Sequence, residues 1–210
     1  MTEKENVFIA GAVEGALDQA VLERLIRDAG ASFGTIYIKR GKGNILRQLN
    51  SYNNAANNHP WVVLVDLDSD ASCAPDFVVR YLPQPSQWMC FRIAVREIES
   101  WLLADRERLS KFLGIRKEKM PSKVEDLPSP KEELIKLAKK SKSRRIQEDI
   151  VPDPESGRLV GPAYSSRLIE FVIDTTDGWR PRIAATQADS LARGMKCINE
   201  LIKRWSLRKK

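Results

Sequence analysis

The 210 residues predict an α/β protein with a parallel four-stranded sheet, and three observations carry that prediction. Four apolar runs, Val7 to Gly11, Gly34 to Lys39, Trp61 to Asp66 and Trp88 to Ala94, are rich in β-formers and too short for helices. Between them lie segments in which apolar residues recur at helical spacing, so strands and helices alternate and right-handed crossovers follow. The third run, Trp61-Val-Val-Leu-Val, is unbroken rather than alternating, as in a strand covered on both faces.

Taken in order, the first run leads through Glu14-Gly15 into a stripe of Leu17, Val21, Leu22, Leu25 and Ile26, which marks a helix packed on a sheet. Glu14 thus falls at the junction of strand and helix, with Asp18 one helical turn later. The second run ends in Arg40-Gly-Lys42-Gly, where two glycines before a helix make an anion-binding turn with the lysine aimed outward a candidate, beside the plain reading of a connecting loop. Ile45, Leu46, Leu49 and Tyr52 continue as that helix. His59, the only histidine, precedes a proline at the entrance to the third strand, away from the acids, and is left out of any site. Residues 75–82 fit a short helix ended by Pro83 and Pro85. After the fourth run, Ile98, Trp101 and Leu102 give a buried helical face. Glu97 and Glu99, about 200° apart on a helix, are then expected to face different ways.

The third strand ends in Asp66-Leu-Asp68-Ser-Asp70, three carboxylates at alternate positions. In open α/β sheets ligands sit beyond the carboxyl ends of the strands. Carboxylates crowded there repel unless a cation lies among them or one is protonated. Magnesium or manganese, held by one or two carboxylates and water, would relieve the repulsion. A solvated loop of turn-forming aspartates is the competing reading.

The net charge of +7 is unevenly spread. Arg106 to Asp149 holds 14 Lys and Arg against 8 Asp and Glu, and Lys203 to Lys210 adds five positive residues. An acidic centre with a basic flank suits a protein that meets a polyanion, although a solvated helical face explains the same pattern. Lys42, Arg96, Lys139, Lys140, Lys142, Arg144 and Arg145 are the candidate nucleic-acid contacts, the last five read as part of a mobile basic arm. Leu191, Met195, Ile198, Ile202 and Trp205 form a long final stripe, read as core. Cys73, Cys90 and Cys197 have no CxxC spacing and suggest neither a disulfide framework nor zinc. No apolar run is long enough for a membrane span and the charged N-terminus does not suit a signal peptide, so a cytoplasmic protein is expected.

With Glu14-Gly15, Asp66-x-Asp68 and Arg96-Glu97-Ile98-Glu99-Ser100-Trp101 on successive strand ends, residues 7–105 resemble the TOPRIM domain of topoisomerases, primases and nucleases of the overcoming-lysogenization-defect class. They resemble in particular small stand-alone TOPRIM-like proteins found beside ATPases in bacterial anti-phage loci. Gly178-Trp179 through Ser190-Leu191 looks like the tail of that group. The resemblance implies a Rossmann-like domain over 1–105, with a basic helical region over 106–210 packed on it. It also implies divalent metal, Mg2+ or Mn2+, in hydrolytic chemistry. Glu14 would match the first-strand glutamate, Asp66 and Asp68 the DxD, Asp18 the later acid, and Glu99, or else Glu97, the acid of a second metal position. Asp70 joins the metal set as the third acid of its loop. The chain departs from the nucleases where their lysine follows the last acid, because Leu103 or a neighbour stands there. A charge stabiliser would then come from Arg96, Lys42 or a partner chain.

Two functions follow as expectations. One is a metal-dependent nuclease with Glu14, Asp66, Asp68 and Glu99 as catalytic acids, an anti-phage effector controlled by an ATPase partner. The other is a non-catalytic regulatory or adaptor subunit of an ATPase complex. Nucleic acid, the ATPase and a second copy of the chain are the partners considered. No base-reading helix stands out, so contacts to the nucleic-acid backbone are expected to dominate.

Overall fold

The computed structural model describes residues 6–71 and 73–208. The charged N-terminal residues 1–5 and the last two lysines of the basic tail lie outside them. The contacts divide the chain into two compact units, Met1–Ala94 with Ala192–Lys210, and Val95–Leu191. The division falls before the boundary expected at 105, and the C-terminal residues group with the sheet.

The first unit is α/β, with a four-stranded, all-parallel sheet flanked by helices, consistent with a Rossmann-like fold. Strands β1 (Phe8–Val13), β2 (Ser32–Ile38), β3 (Trp61–Asp66) and β4 (Met89–Ala94) stand in the order β2-β1-β3-β4. In β3, residues 61–65 are all buried and Asp66 is the last strand residue, as the unbroken apolar run requires.

Helix α1 (Ala16–Asp28) lies against one face of β1. Gly11 lets it come close, since a Cβ there would stand 3.0 Å from both Leu22 Cδ2 and the Val62 carbonyl oxygen. Ala10 and Ala12 face the other way, where their small side chains leave room for aromatic rings. Tyr37 of β2 stacks on Trp61 of β3 with ring centroids 6.0 Å apart, and Tyr52 of α2 (Lys42–Ala55) packs on the same Trp61 at 5.2 Å. Helix α3 (Ala74–Tyr81) sets Phe77 near Phe91 of β4.

Of the long final stripe, Leu191 and Ile198 are buried while Met195, Ile202 and Trp205 are half-buried, and the buried face of the helix in the sheet unit also takes in Cys197 and Leu201. The chain from 192 continues helix α10 (Asp189–Leu207). Trp205 meets Trp88 edge-on at 5.1 Å and His59 at 6.0 Å. His59 is therefore packed against an aromatic ring, and burial holds its pKa below the ordinary value. Cys90 of β4 and Cys197 of α10 stand side by side as a disulfide, their Cα atoms 6.2 Å apart. This corrects the expectation of unconnected cysteines. Two residues 107 apart in sequence meet only because the last helix returns to the sheet.

The second unit is helical: α4 (Glu99–Ala104), α5 (Arg106–Leu113), α6 (Pro130–Ala138), α7 (Arg144–Ile150), α8 (Tyr164–Ile173) and α9 (Pro181–Ala184). The starts of α5, α6 and α7 are capped by side chains: Asp105 accepts from the Arg108 N–H, Ser129 from Glu132 and Ser143 from Ile146. Trp101, Leu109, Leu134, Leu168, Phe171 and Trp179 fill its core. The Gly178-Trp179 pair is structural. Trp179 is fully buried and its Nε1–H donates to the Trp101 carbonyl at 3.0 Å, while a Cβ on Gly178 would stand 2.2 Å from the Phe171 carbonyl oxygen.

Candidate functional site

The carboxyl ends of β1 and β3 do gather charge. Glu14 follows the last residue of β1, and its Oε1 accepts a hydrogen bond from the Asp66 N–H at 3.0 Å. Burial raises its pKa, opposed by that hydrogen bond, by the Lys42 charge and by the Lys42 backbone N–H. The last of these places the carboxylate at the start of α2, whose first residues offer unsatisfied N–H groups.

Beyond Asp66, Leu67 is buried and its N–H donates to the Ala94 carbonyl, so β3 holds the chain on course for one more residue. Asp68 then turns it, with φ +50°, a left-handed conformation that Asp tolerates better than most residues. The Asp70 N–H closes the turn on the Leu67 carbonyl at 3.2 Å.

The cation among these acids is Lys42. Its Nζ lies 2.6 Å from Asp68 Oδ2 and 2.6 Å from Asp70 Oδ2, and donates to the Leu67 carbonyl at 3.2 Å. Burial alone would lower the ammonium's pKa, but Asp68 and Asp70 outweigh it and hold the value above the ordinary one. The lysine expected to aim outward from its glycine turn is turned inward and buried. The reason is the repulsion seen in the sequence: the carboxylates need a counter-charge, and α2 supplies one.

Asp18 has a different task. Its Oδ2 accepts from the Gly15 N–H at 2.9 Å and closes the first turn of α1. That oxygen is engaged in starting a helix. Asp70, Asp76, Phe77 and Arg80 line a shallow pocket of about 330 Å³ beside the acidic loop. Arg80 had no signal in the sequence that tied it to the acids.

Glu97 and Glu99 belong to the second unit and form a cluster of their own. Glu97 precedes α4 instead of lying on it, so the helical spacing that separated the two acids does not apply. Both converge on Lys131, whose Nζ is 3.5 Å from Glu97 Oε1 and 3.7 Å from Glu99 Oε1. The Lys131 N–H also donates to Glu97 Oε2 at 2.8 Å, and the Tyr164 hydroxyl to Glu99 Oε1 at 2.9 Å. Glu99 is 2% exposed and its Oε2 has no hydrogen-bond partner. Burial raises its pKa, with Lys131 opposing. Neither Lys131 nor Tyr164 was legible beforehand, because 34 and 65 residues separate them from their acids. Arg96, in the same unit, is half-buried.

Lys139, Lys140, Lys142, Arg144 and Arg145 are all exposed. They do not form an extended arm. They sit on the tight connection from α6 to α7 and on the first turn of α7, anchored by buried Ser141 and Ile146. Arg144 pairs with Glu148 and Arg145 with Asp149, each one turn on.

No family model, curated protein or solved structure matches this chain. The site must be read from its own atoms. Among the described residues, no group of three or more His, Cys, Asp or Glu side chains is arranged to hold a metal ion. The donor chemistry of Glu14, Asp66 and Asp68, carboxylate oxygens at a strand's end, suits a hard cation. In the described arrangement Lys42 occupies the charge position, so a metal would compete with its ammonium for Asp68 and Asp70.

Proposed function

We propose that the protein is a metal-dependent phosphodiesterase of the TOPRIM kind, acting on the backbone of DNA or RNA. The observation that favours this most is the group at the carboxyl ends of β1 and β3, where Glu14, which accepts from the Asp66 N–H, and Asp68 meet the buried Lys42. Lys42 is one of the cations that the resemblance left as candidate charge stabilisers, and it is buried beside Asp68 and Asp70. Magnesium or manganese bound there would polarise the phosphate and activate water.

The chain's own residues do the rest. Asp66 is held by a strand buried along its length, so its carboxylate needs little further ordering to act as a ligand. Glu14 is fixed by two backbone N–H groups. Lys42, released from Asp68 and Asp70, has a charge to offer a phosphate oxygen. The resemblance adds an ATPase partner and a role in anti-phage defence. The basic turn between α6 and α7 adds a surface for the polyanion.

The second reading is a non-catalytic regulatory or adaptor subunit, and Lys42 also favours it: an internal ion pair neutralises the acids without any metal. A melting titration and a cleavage assay separate the two. On the first reading, Mg2+ or Mn2+ raises the melting temperature of wild type but not of Asp66→Ala/Asp68→Ala. Asp66→Asn and Glu14→Gln then each abolish manganese-dependent cleavage with the fold retained. Full cleavage by Asp66→Asn, or no metal effect on wild type, removes the phosphodiesterase reading.

A further inference from the structure

Residues 29–65 contain no Asp or Glu, although the chain has 28 of them among 210 residues. The stretch covers β2, α2 and most of β3, and its Lys and Arg residues are Lys39, Arg40, Lys42 and Arg47. Lys42 is committed to Asp68 and Asp70. The other three gather around Asn44, whose Nδ2 donates to the Lys39 carbonyl at 2.9 Å and the Arg40 carbonyl at 3.2 Å, and whose Oδ1 accepts from Arg47. Among the described residues no carboxylate pairs with any of the three.

The sheet sets where this basic group stands. Beyond the end of β2 the chain stays paired with the β1 side, the Lys39 N–H donating to the Val13 carbonyl and the Arg40 N–H to the Glu14 carbonyl, each at 3.0 Å. The group therefore borders the acids of the strand ends, while the Glu14 carboxylate itself is directed at the Asp66 N–H. An aromatic ring stands next to it. Tyr37, two residues before Lys39 and on the same side of the strand, stacks on Trp61 at an interplanar angle of 2°. Trp61 and Tyr52 are core, at 8% and 7% exposure, but Tyr37 is 43% exposed, and Lys39 Nζ lies 5.2 Å from its ring centroid.

We propose that Tyr37, with Lys39, Arg40 and Arg47, forms a binding site for single-stranded nucleic acid. A ring oriented by the core and exposed at the surface can stack on an unpaired base, and the cations beside it meet the flanking phosphates. A paired base, stacked within its duplex, has no such face to offer. The absence of carboxylates over residues 29–65 leaves nothing in this stretch to repel the strand. Stacking and phosphate contact accept any base, so little sequence preference is expected. As the form of substrate led to the acids, the single strand rests on the phosphodiesterase reading; as a ligand of this surface, it does not.

Fluorescence anisotropy of the full chain in EDTA, with labelled oligothymidine and oligouridine of about 12 nucleotides and a duplex of equal length, tests this. At least one of the two strands is expected to bind about tenfold tighter than the duplex, or better. Tyr37→Ala is expected to weaken strand binding about 5- to 100-fold, and Tyr37→Phe, which keeps the ring, by less than about twofold. Changing Lys39, Arg40 and Arg47 together to Gln should flatten the dependence of log K on log salt by up to about 0.7 for each phosphate no longer neutralised. Should Tyr37→Ala melt early by circular dichroism, wild type decides the matter: irradiated 5-bromouracil in the strand is expected to cross-link at Tyr37. No binding of either strand, a duplex bound as tightly, a folded Tyr37→Ala that binds like wild type, an unchanged salt slope, or adducts only outside residues 37–47 would overturn the proposal. EDTA withholds the metal, so a protein that binds the strand yet never cuts it with manganese removes the phosphodiesterase reading alone. One that cuts but fails these binding tests removes this inference alone.

Discussion

Replacing Lys42 with Met takes away the ammonium that Asp68 and Asp70 share at 2.6 Å each and leaves two carboxylates facing one another. Both aspartates are about half exposed, so solvent screens part of the repulsion, and a loss of about 1–3 kcal/mol in melting experiments is expected. If Lys42 and a divalent ion compete for these oxygens, Lys42→Met also gains more stability from magnesium than wild type does. An equal gain in both proteins would mean that the ion binds elsewhere. Glu99 offers a pH test. Its pKa is raised in the folded protein, so folding is favoured by its neutral form. That contribution is fully present below the ordinary glutamate value of 4.5 and is lost as the pH rises through the raised value. Glu99→Gln keeps an acceptor for the Tyr164 hydroxyl and leaves Glu97 to Lys131. It should melt a few degrees above wild type at pH 8 and level with it at pH 4. A variant less stable at pH 8 would show that the Lys131 pair outweighs burial.

At the scale of elements, the connection between α6 and α7 concentrates cations without using them to hold the fold. Lys139, Lys140 and Lys142 are exposed, and the turn is kept by Ser141, Ser143 and Gln147 through hydrogen bonds to its backbone. Changing Lys139, Lys140, Lys142, Arg144 and Arg145 to Ala should therefore leave the melting temperature within a few degrees. If this turn meets nucleic acid, the same change flattens the dependence of log K on log salt by up to about 0.9 for each duplex-DNA phosphate that is no longer neutralised. An unchanged slope in a filter-binding series would remove the turn from the interface. The strands behave oppositely. Their residues are fixed by packing, and β3, buried from 61 to 65, is the element that holds Asp66 in place.

On the scale of the molecule, the sheet unit is not a continuous stretch of chain. Residues 192–210 group with it, and Ile198 and Leu201 are buried there at 2% and 0% exposure. Each such side chain is worth roughly 1.5–3 kcal/mol when fully buried. A chain ending at Leu191 should lose cooperative melting of the sheet unit, read by circular dichroism, even though all four strands remain. A sharp, unshifted transition in that truncation would show that the last helix is dispensable to the core.

The local chemistry was legible from the residues alone. Periodicity marked four strands, the unbroken run at 61–65 marked the strand buried on both faces, and turn-forming aspartates marked its end at Asp66. These features depend on neighbours within a few residues, and a sequence displays neighbours directly. Partners across the fold were another matter. That the counter-charge for Asp68 and Asp70 is Lys42, that Glu97 and Glu99 meet at Lys131 and Glu99 also meets Tyr164, and that Cys90 meets Cys197 each required the chain to close over distance. The sequence stated that crowded carboxylates must be neutralised, because Coulomb repulsion follows from their spacing. Only the tertiary structure chose the neutralising group, since a lysine 26 or 28 residues away reaches them solely because α2 begins beside the carboxyl ends of β1 and β3.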